Sequence, residues 1–495
     1  MRGAGLAALV LFAALPVGSQ APDAVPRHPS QLVFPPATWR PPTGAGVRVS
    51  LPGGPLVYFV EDRSLPLFEV VAAARVGSFL DPPGRPGTAS LATELLVRGG
   101  TGALEPAAFD AAIERLGGRV VARSGATNSA LGLDGPSWAA NQLLDLFLDL
   151  LLDPGFDPVR LTSLESNLRE GMLRRNDDPV ATLEREWERL LYGSDHFSTR
   201  ALVPADLDRL EPADLAAFHR RAWRPENIVL AVSGDLEREA FLRRVAERLG
   251  EREAAADASE LPWPPPPPRS GSPAGVFVLD RALSQAKVIV GHRLDPVPAK
   301  DRPALALAAE VLGGSGAVSR IQGRLRTAEG LVYRSSTSIE AGELWPGELR
   351  VFFETRPEGT ARAVELVRDE IVRIREQTVP PRELEAARIA LLSRLRVDFE
   401  TSEEIAGRLA ENALFGRPDD YWDTWYAALS SVGADQVRDV ARRYLHAEGF
   451  TVVVLGPLDA ESRERLAALA GGPVEMLPER DPATQEPASA PTGRS

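Results

Sequence analysis

The run Leu261-Pro-Trp-Pro-Pro-Pro-Pro-Pro-Arg269-Ser-Gly-Ser-Pro273 interrupts the chain near its middle. Consecutive prolines lack the N–H that a helix interior or a central strand needs, so the run predicts an extended spacer in polyproline II form. It divides the chain into pieces of similar size, which invites a search for an internal repeat. One is present. Leu67–Arg75 is a β-like run followed by the helical stretch Thr88–Leu96 and then Gly99-Gly100; in the second piece Ala286–Arg293 is followed by Arg302–Leu312 and then Gly313-Gly314. The glycine pairs predict a left-handed C-cap for both helices. The pieces also finish alike. Asn227–Asp235 precedes a charged amphipathic helix reaching Gly250, and Phe450–Gly456 precedes another reaching about Gly471. In the first piece Ser137–Leu152 and Pro158–Arg175 read as two helices separated by Asp153-Pro154-Gly155. Strands mixed with pairs of long helices suit an α+β sandwich better than a doubly wound parallel sheet.

At ~100–200 residues per domain, 495 residues allow two to four domains. Hydrophobic residues make up 44% and charged residues 25%, the proportions of a globular chain, which excludes wholesale disorder. The 56 Lys+Arg against 69 Asp+Glu leave a formal charge of −13, so there is no electrostatic reason to bind phosphate polyanions and nucleic acid is excluded as a partner. Only Lys287 and Lys300 are lysines, a bias we assign to codon usage. The absence of cysteine removes disulfides, thiolate metal sites and cysteine nucleophiles together. At the N-terminus, Arg2 precedes an apolar run from Leu6 to Val17 and the small-residue stretch Gly18-Ser19-Gln20-Ala21. That pattern is a cleaved secretory signal over residues 1–21, which predicts a periplasmic or secreted protein. No later run approaches the ~18 apolar residues of a membrane helix, so no membrane span is expected. The Pro-, Ala-, Ser- and Thr-rich residues 478–495 predict a disordered tail.

The five histidines, His28, His196, His219, His292 and His446, include no two within a helical turn. Without cysteine, a zinc site most simply takes an i, i+4 histidine pair plus a carboxylate, and that pair is missing. No Gly-x-Ser-x-Gly elbow occurs, and Gly313-Gly-Ser-Gly316 lacks the Gly-Lys-Ser/Thr of a phosphate-binding loop.

Taken in order, Glu61-Asp-Arg-Ser-Leu-Pro66, Arg75-Val-Gly-Ser78, Asp81-Pro82, Gly87-x-Ala89, the helix to Gly99-Gly-Thr101, Asp177-Asp-Pro179, Leu191-Tyr-Gly193, Ala205-Asp-Leu207, Phe218-His-Arg220, Pro225-Glu-Asn227 and Val232-Ser-Gly-Asp235 resemble the insulinase/pitrilysin family, M16. The resemblance covers about residues 30–475. It implies two homologous domains, 28–252 and 275–477, each a mainly antiparallel sheet packed with long helices, joined by the Pro-rich linker 253–274. Active members of the family bind zinc through an inverted His-x-x-Glu-His motif on the first helix and a Glu on a later one. By register, Ser90 stands at the first His, Thr93 at the catalytic Glu and Glu94 at the second His, with Glu170 or Gly171 at the distal ligand. No motif position keeps its residue type, which leaves neither Lewis acid nor general base. The expectation is no zinc in this chain and zinc in a partner.

In the second half, Gly313 through Arg320, Leu325-Arg326 and Gly330-Leu-Val-Tyr333 resemble the family's segment whose Arg and Tyr reach across to the substrate. Arg326 and Tyr333 keep the seven-residue spacing. A guanidinium fork and a phenol O–H suit a peptide carbonyl near a developing oxyanion. The competing expectation is an Arg326–Glu329 ion pair, with Tyr333 merely opening a strand. The resemblance implies a non-catalytic subunit of a heterodimeric zinc metallopeptidase. Its partner would be a catalytic M16 homologue carrying His-x-x-Glu-His, its substrates unstructured peptides, and it would have no peptidase activity alone. The alternative is a non-enzymatic binding or scaffold protein of the same fold.

Overall fold

A computed structural model describes residues 39–487 apart from 53, 251–260, 268–270 and 315–318. The proposed signal segment therefore lies outside the described residues.

The first half contributes strands β1 (Arg48–Ser50), β2 (Leu56–Glu61), β3 (Leu67–Ala74), β4 (Arg119–Ser124), β5 (Ser129–Pro136) and β6 (Ile228–Gly234). The second contributes β7 (Gly275–Leu279), β8 (Ala286–Arg293), β9 (Val332–Glu340), β10 (Glu348–Thr355), β11 (Thr451–Leu455) and β12 (Val474–Met476). They form two six-stranded sheets, ordered β1-β2-β6-β3-β5-β4 and β12-β7-β11-β8-β10-β9. Apart from the edge strands β1 and β12, the two orders correspond place for place. The last strand of each half inserts parallel to the first, β6 to β2 and β11 to β7, and all other pairings among these ten strands are antiparallel. This is the α+β, two-sheet architecture expected from the repeat.

The central strands β6 (Ile-Val-Leu-Ala-Val-Ser-Gly) and β11 (Thr-Val-Val-Val-Leu) are buried along almost their whole length. A strand of that composition needs cover on both faces. One face meets the half's own helices: Leu230 and Val232 of β6 pack with Leu95, Phe147 and Trp223, and Val452 and Val454 of β11 pack with Leu305, Val367 and Val437. The other face is covered by a helix from the opposite half. Ala406, Leu409 and Ala410 of the helix Ser402–Leu414 pack on Tyr58, Val229 and Ala231 of the first sheet. Reciprocally, Leu183, Trp187 and Leu191 of the helix Pro179–Tyr192 pack on Phe277, Ile289, Val453 and Leu455 of the second. Both exchanged helices start on strong caps. The Asp178 carboxylate accepts from the Val180 N–H at 2.8 Å, and Thr401 and Glu404 form a reciprocal capping box.

Two expectations need correction, and a third gains detail. The Pro-rich run is extended as expected, and it lies on the protein: Leu261, Pro264 and Pro267 are buried, the three-residue period of polyproline II laying one ridge inward. Arg75 donates to the Leu261 carbonyl at 3.0 Å and stacks 3.8 Å from the Trp263 ring centroid. Residues 478–487, expected to be disordered, are folded. Asn176 donates to the Arg480 carbonyl at 2.8 Å, and Arg281 pairs with Glu479 at 2.7 Å. Composition marked the segment as polar but could not reveal those partners; residues 488–495 lie outside the described set. Finally, neither glycine pair gives its helix a left-handed cap: the first helix closes on Val97 (φ −87°), three residues before the left-handed Gly100 (φ 70°), and Gly314 at the end of the second has φ −57°. The second glycine pair answers to space, since a Cβ on Gly313 would lie 2.0 Å from Cβ of Thr337.

Each exchanged seat also encloses a glutamate. Glu348 Oε2 accepts from the buried Trp187 Nε1–H at 2.8 Å. Burial, reinforced by Glu340 and Glu188 and opposed by the Trp187 hydrogen bond and Arg350, pushes its carboxyl up to about 7. Glu69 on β3 is raised well above the carboxylate range by burial first and then by Glu403 of the exchanged helix, with Asp134 adding and Arg119 opposing.

Leu409→Ala is expected to cost about 2–5 kcal/mol and to weaken both halves within one urea transition. Two separate transitions would show that the halves stand independently. A carboxyl whose folded pKa is raised binds its proton more tightly folded than unfolded. Its contribution is therefore full below the unfolded value, near 4.5, and lost as pH rises through about 7. The melting temperature should accordingly fall between about pH 4.5 and 7. Glu348→Gln keeps an acceptor for Trp187 and should flatten part of that decline; an unchanged pH profile in this variant would refute the assignment.

Candidate functional site

The first-half helix Thr88–Leu96 is anchored at its start by Asp81, whose two carboxylate oxygens accept from the Gly87 and Ala89 N–H groups, both at 2.8 Å. Burial is the largest influence on Asp81 and raises its carboxyl, although these two hydrogen bonds pull the other way. Gly87 is left-handed (φ 87°), and a Cβ there would lie 2.6 Å from Leu202. The helix then presents its three motif positions differently. Ser90 is exposed, Thr93 is fully buried, and Glu94 is half-buried and pairs with Arg98 at 3.8 Å one turn on. The Thr93 hydroxyl has no hydrogen-bond partner among the described residues. On the helix Pro158–Leu173, Glu170 pairs with Arg174 at 3.0 Å, and the space beside Gly171 is open.

This donor set does not fit zinc. It offers a hydroxyl, an interior threonine and two carboxylates, each already paired with an arginine four residues on, just past the end of its helix. Among the described residues no group of three or more metal-ligating side chains converges anywhere. The described histidines serve packing. His196 lies against Phe197 with ring centroids 4.2 Å apart, and His219 stacks on Trp223. The buried His292 accepts from the His446 N–H at 2.9 Å, and burial depresses its pKa to about 4, so it is neutral.

Arg326 and Tyr333 are brought together. The short helix Arg320–Gln322 runs into a π-helical turn, Gly323–Ala328. Such wide turns are uncommon and cluster at functional sites. Leu325, fully buried, anchors the turn, and its carbonyl accepts from the Leu331 N–H at 2.9 Å; the left-handed Gly330 (φ 62°) lets the chain reverse. At the start of β9 the pairing with β10 shifts, Ser335 facing Phe353 but Val332 facing Thr355. Tyr333 and Arg334 therefore stand together opposite Glu354, a bulge that turns both outward. Thr355 Oγ1 secures this corner by donating to the Leu331 carbonyl at 2.8 Å. The outcome is a Tyr333 ring that is 83% exposed, with the Arg326 guanidinium 5.3 Å from its centroid. The competing Arg326–Glu329 pair is absent; Glu329 is taken by Arg362 at 3.0 Å. Arg320 plays another part, gripping Glu383 with two 2.7 Å hydrogen bonds. The π-turn and the bulge were not foreseen. The strand sequence, Val-Tyr-Arg-Ser-Ser-Thr-Ser-Ile-Glu, has no apolar alternation that the bulge would interrupt, so the residues alone give no sign of it.

Two sheets of matching topology, each covered by a helix from the opposite half, form a fold shared with M16-type peptidase structures. Residues 209–391 match the family described as Peptidase M16 inactive domain. Over those residues the chain is similar to that family, and the match includes the Arg326–Tyr333 segment. An uncharacterized zinc protease of Streptomyces coelicolor is 24% identical over 430 residues, covering 85% of this chain and 91% of the relative. An uncharacterized zinc protease of Mycobacterium tuberculosis is 26% identical over 291 residues; that alignment covers 58% of this chain and 65% of the relative. Among solved structures, a peptidase M16 inactive domain from Pseudomonas fluorescens matches with a TM-score of 0.73 and 22% identity, covering 83% of this chain and 98% of that one. The periplasmic protease PqqL from Escherichia coli matches at 0.71 and 15% identity, covering 86% of this chain and 48% of that one. Among the described residues no helix is long and apolar enough to cross a membrane.

The purified chain is expected to carry no stoichiometric zinc and to cleave no unstructured peptide alone. One zinc per chain by elemental analysis, together with chelator-sensitive cleavage, would refute this.

Proposed function

We propose that this chain is the non-catalytic subunit of a two-chain, periplasmic M16-type metallopeptidase, closing the peptide chamber and lending Arg326 and Tyr333 to a partner chain that carries His-x-x-Glu-His. The observation that carries the reading is the Arg326–Tyr333 pair: a guanidinium stacked on a phenol, both exposed, on a corner built by a π-turn and a strand bulge. The partner's zinc would supply the Lewis acid. On this chain, stacking on Tyr333 holds the Arg326 fork so that less side-chain freedom is lost when it meets a peptide carbonyl. The Tyr333 O–H is a second donor at the same corner, and donors fixed before the reaction stabilise developing charge without reorganising. Supporting the reading further, the first-half ligand positions do not fit zinc, the inactive-domain pattern covers the Arg/Tyr segment, and relatives bear the name zinc protease.

The test is kinetic. Reconstituted with its catalytic homologue, Tyr333→Phe should assemble normally but lose up to about 10²–10³ in kcat/KM, and Arg326→Lys should fail to restore full rate. Arg320→Lys should move the melting temperature through its Glu383 contact and leave the rate nearly unchanged. Wild-type kinetics for both Tyr333→Phe and Arg326→Lys, with assembly intact, would leave the chain a binding or scaffold protein of this fold.

A further inference from the structure

Arginine is almost this chain's only cation, and its guanidiniums are mostly spent on carboxylates: Arg320 on Glu383, Arg362 on Glu329, Arg417 on Glu343, Arg465 on Glu365. The corner around Tyr333 departs from that habit. Arg324, Arg326 and Arg334 are all exposed, and none has an acidic partner among the described residues. The acids that could serve them are engaged elsewhere. Glu329, the one acidic residue between Arg320 and Arg334, belongs to Arg362, and Glu354, opposite the bulge, belongs to Lys287 at 2.5 Å. In a protein of net charge −13, three unpaired guanidiniums within eleven residues form a local positive patch whose like charges repel until an anion joins them.

The backbone that produces this patch is specific. Arg324 and Arg326 alternate with the buried anchor Leu325 along the π-turn, and the bulge turns Arg334 outward beside Tyr333, where regular pleating would send one of the two inward. A guanidinium presents a planar fork that matches a carboxylate with two parallel hydrogen bonds, and Tyr333 adds an O–H donor to the same rim.

We propose that the Arg324–Arg326–Arg334 rim around Tyr333 recognises a carboxylate of a bound peptide, and so selects peptides that carry negative charge at this corner. The inference rests on the reading above only in taking the ligand to be a peptide. The carboxylate has two possible sources, an Asp or Glu side chain or the peptide's C-terminus.

The full chain alone suffices for the test. Three labelled ten-residue peptides of Gly, Ser and Ala are compared by fluorescence anisotropy at low salt: one with central Glu-Glu and an amidated end, one with Gln-Gln and an amidated end, and one with Gln-Gln and a free C-terminus. A charge-assisted contact should make at least one carboxylate-bearing peptide bind about tenfold more tightly than the neutral control, with the preference shrinking as salt is raised. Whichever peptide gains identifies the source. Arg324→Gln/Arg334→Gln, both exposed positions, should erase most of the preference while the melting temperature stays put; the double lysine variant should keep part of it. Equal binding of all three peptides, or a preference that survives the double glutamine variant, would overturn the proposal. Because no partner chain is present, failure here leaves the action of Arg326 and Tyr333 in trans to be judged by its own kinetics. Conversely, an acidic preference that persists when those kinetics are unchanged would separate recognition from catalysis.

Discussion

The structure depends on each half lending a helix to the other's sheet. β6 and β11 are apolar on both faces, and a half with its own helices alone would leave Val229 and Ala231, or Val453 and Leu455, against water. The exchanged helices remove that exposure without lengthening either sheet, and their caps at Asp178 and Thr401 fix where each one starts. Burial of apolar surface is therefore shared across the chain's midpoint, and the proline strap joins two halves that are already interlocked.

Within this near-symmetric frame the two halves have parted chemically. Both place a helix after the fourth strand of the sheet order, β3 or β8: Thr88–Leu96 in one half and Arg302–Gly313 in the other. In the first, the helix carries an exposed Ser90, a buried Thr93 and a half-buried Glu94, and a carboxylate at the interior position would be costly to desolvate. In the second, the segment after the helix departs from regular geometry twice within about ten residues, at the π-turn and at the bulge, and those departures set Arg326 and Tyr333 face to ring.

What could be read from the residues follows from the range of the forces involved. Ala286–Arg293 and Thr88–Leu96 have the bounds that their apolar period and flanking turns predict, because local patterning alone decides them. The reciprocal helix exchange was not legible: the amphipathic pattern of Pro179–Tyr192 says that one face is buried, but not that the burying surface is a sheet almost a hundred residues further on. The edge strands β1 and β12, three residues each, are too short to carry a period. The strapped linker and the folded 478–487 segment escaped for the same reason, since Arg75, Asn176 and Arg281 act on them from distant parts of the chain. At the candidate site the Arg and Tyr positions were readable from motif spacing, whereas their stacking depends on a register shift that only the partner strand β10 reveals.

The helix exchange also bears on how the chain is made. The outer face of β6, complete once Gly234 has been synthesised, has no cover until the helix beginning at Ser402 exists, 402 − 234 = 168 residues later. At typical ribosomal rates that is an interval of roughly 10–30 s during which an apolar sheet face stays open. The first half cannot reach its final packing before that helix of the second has been made, so until then the nascent chain is an incompletely packed polypeptide with an apolar face open to misassembly.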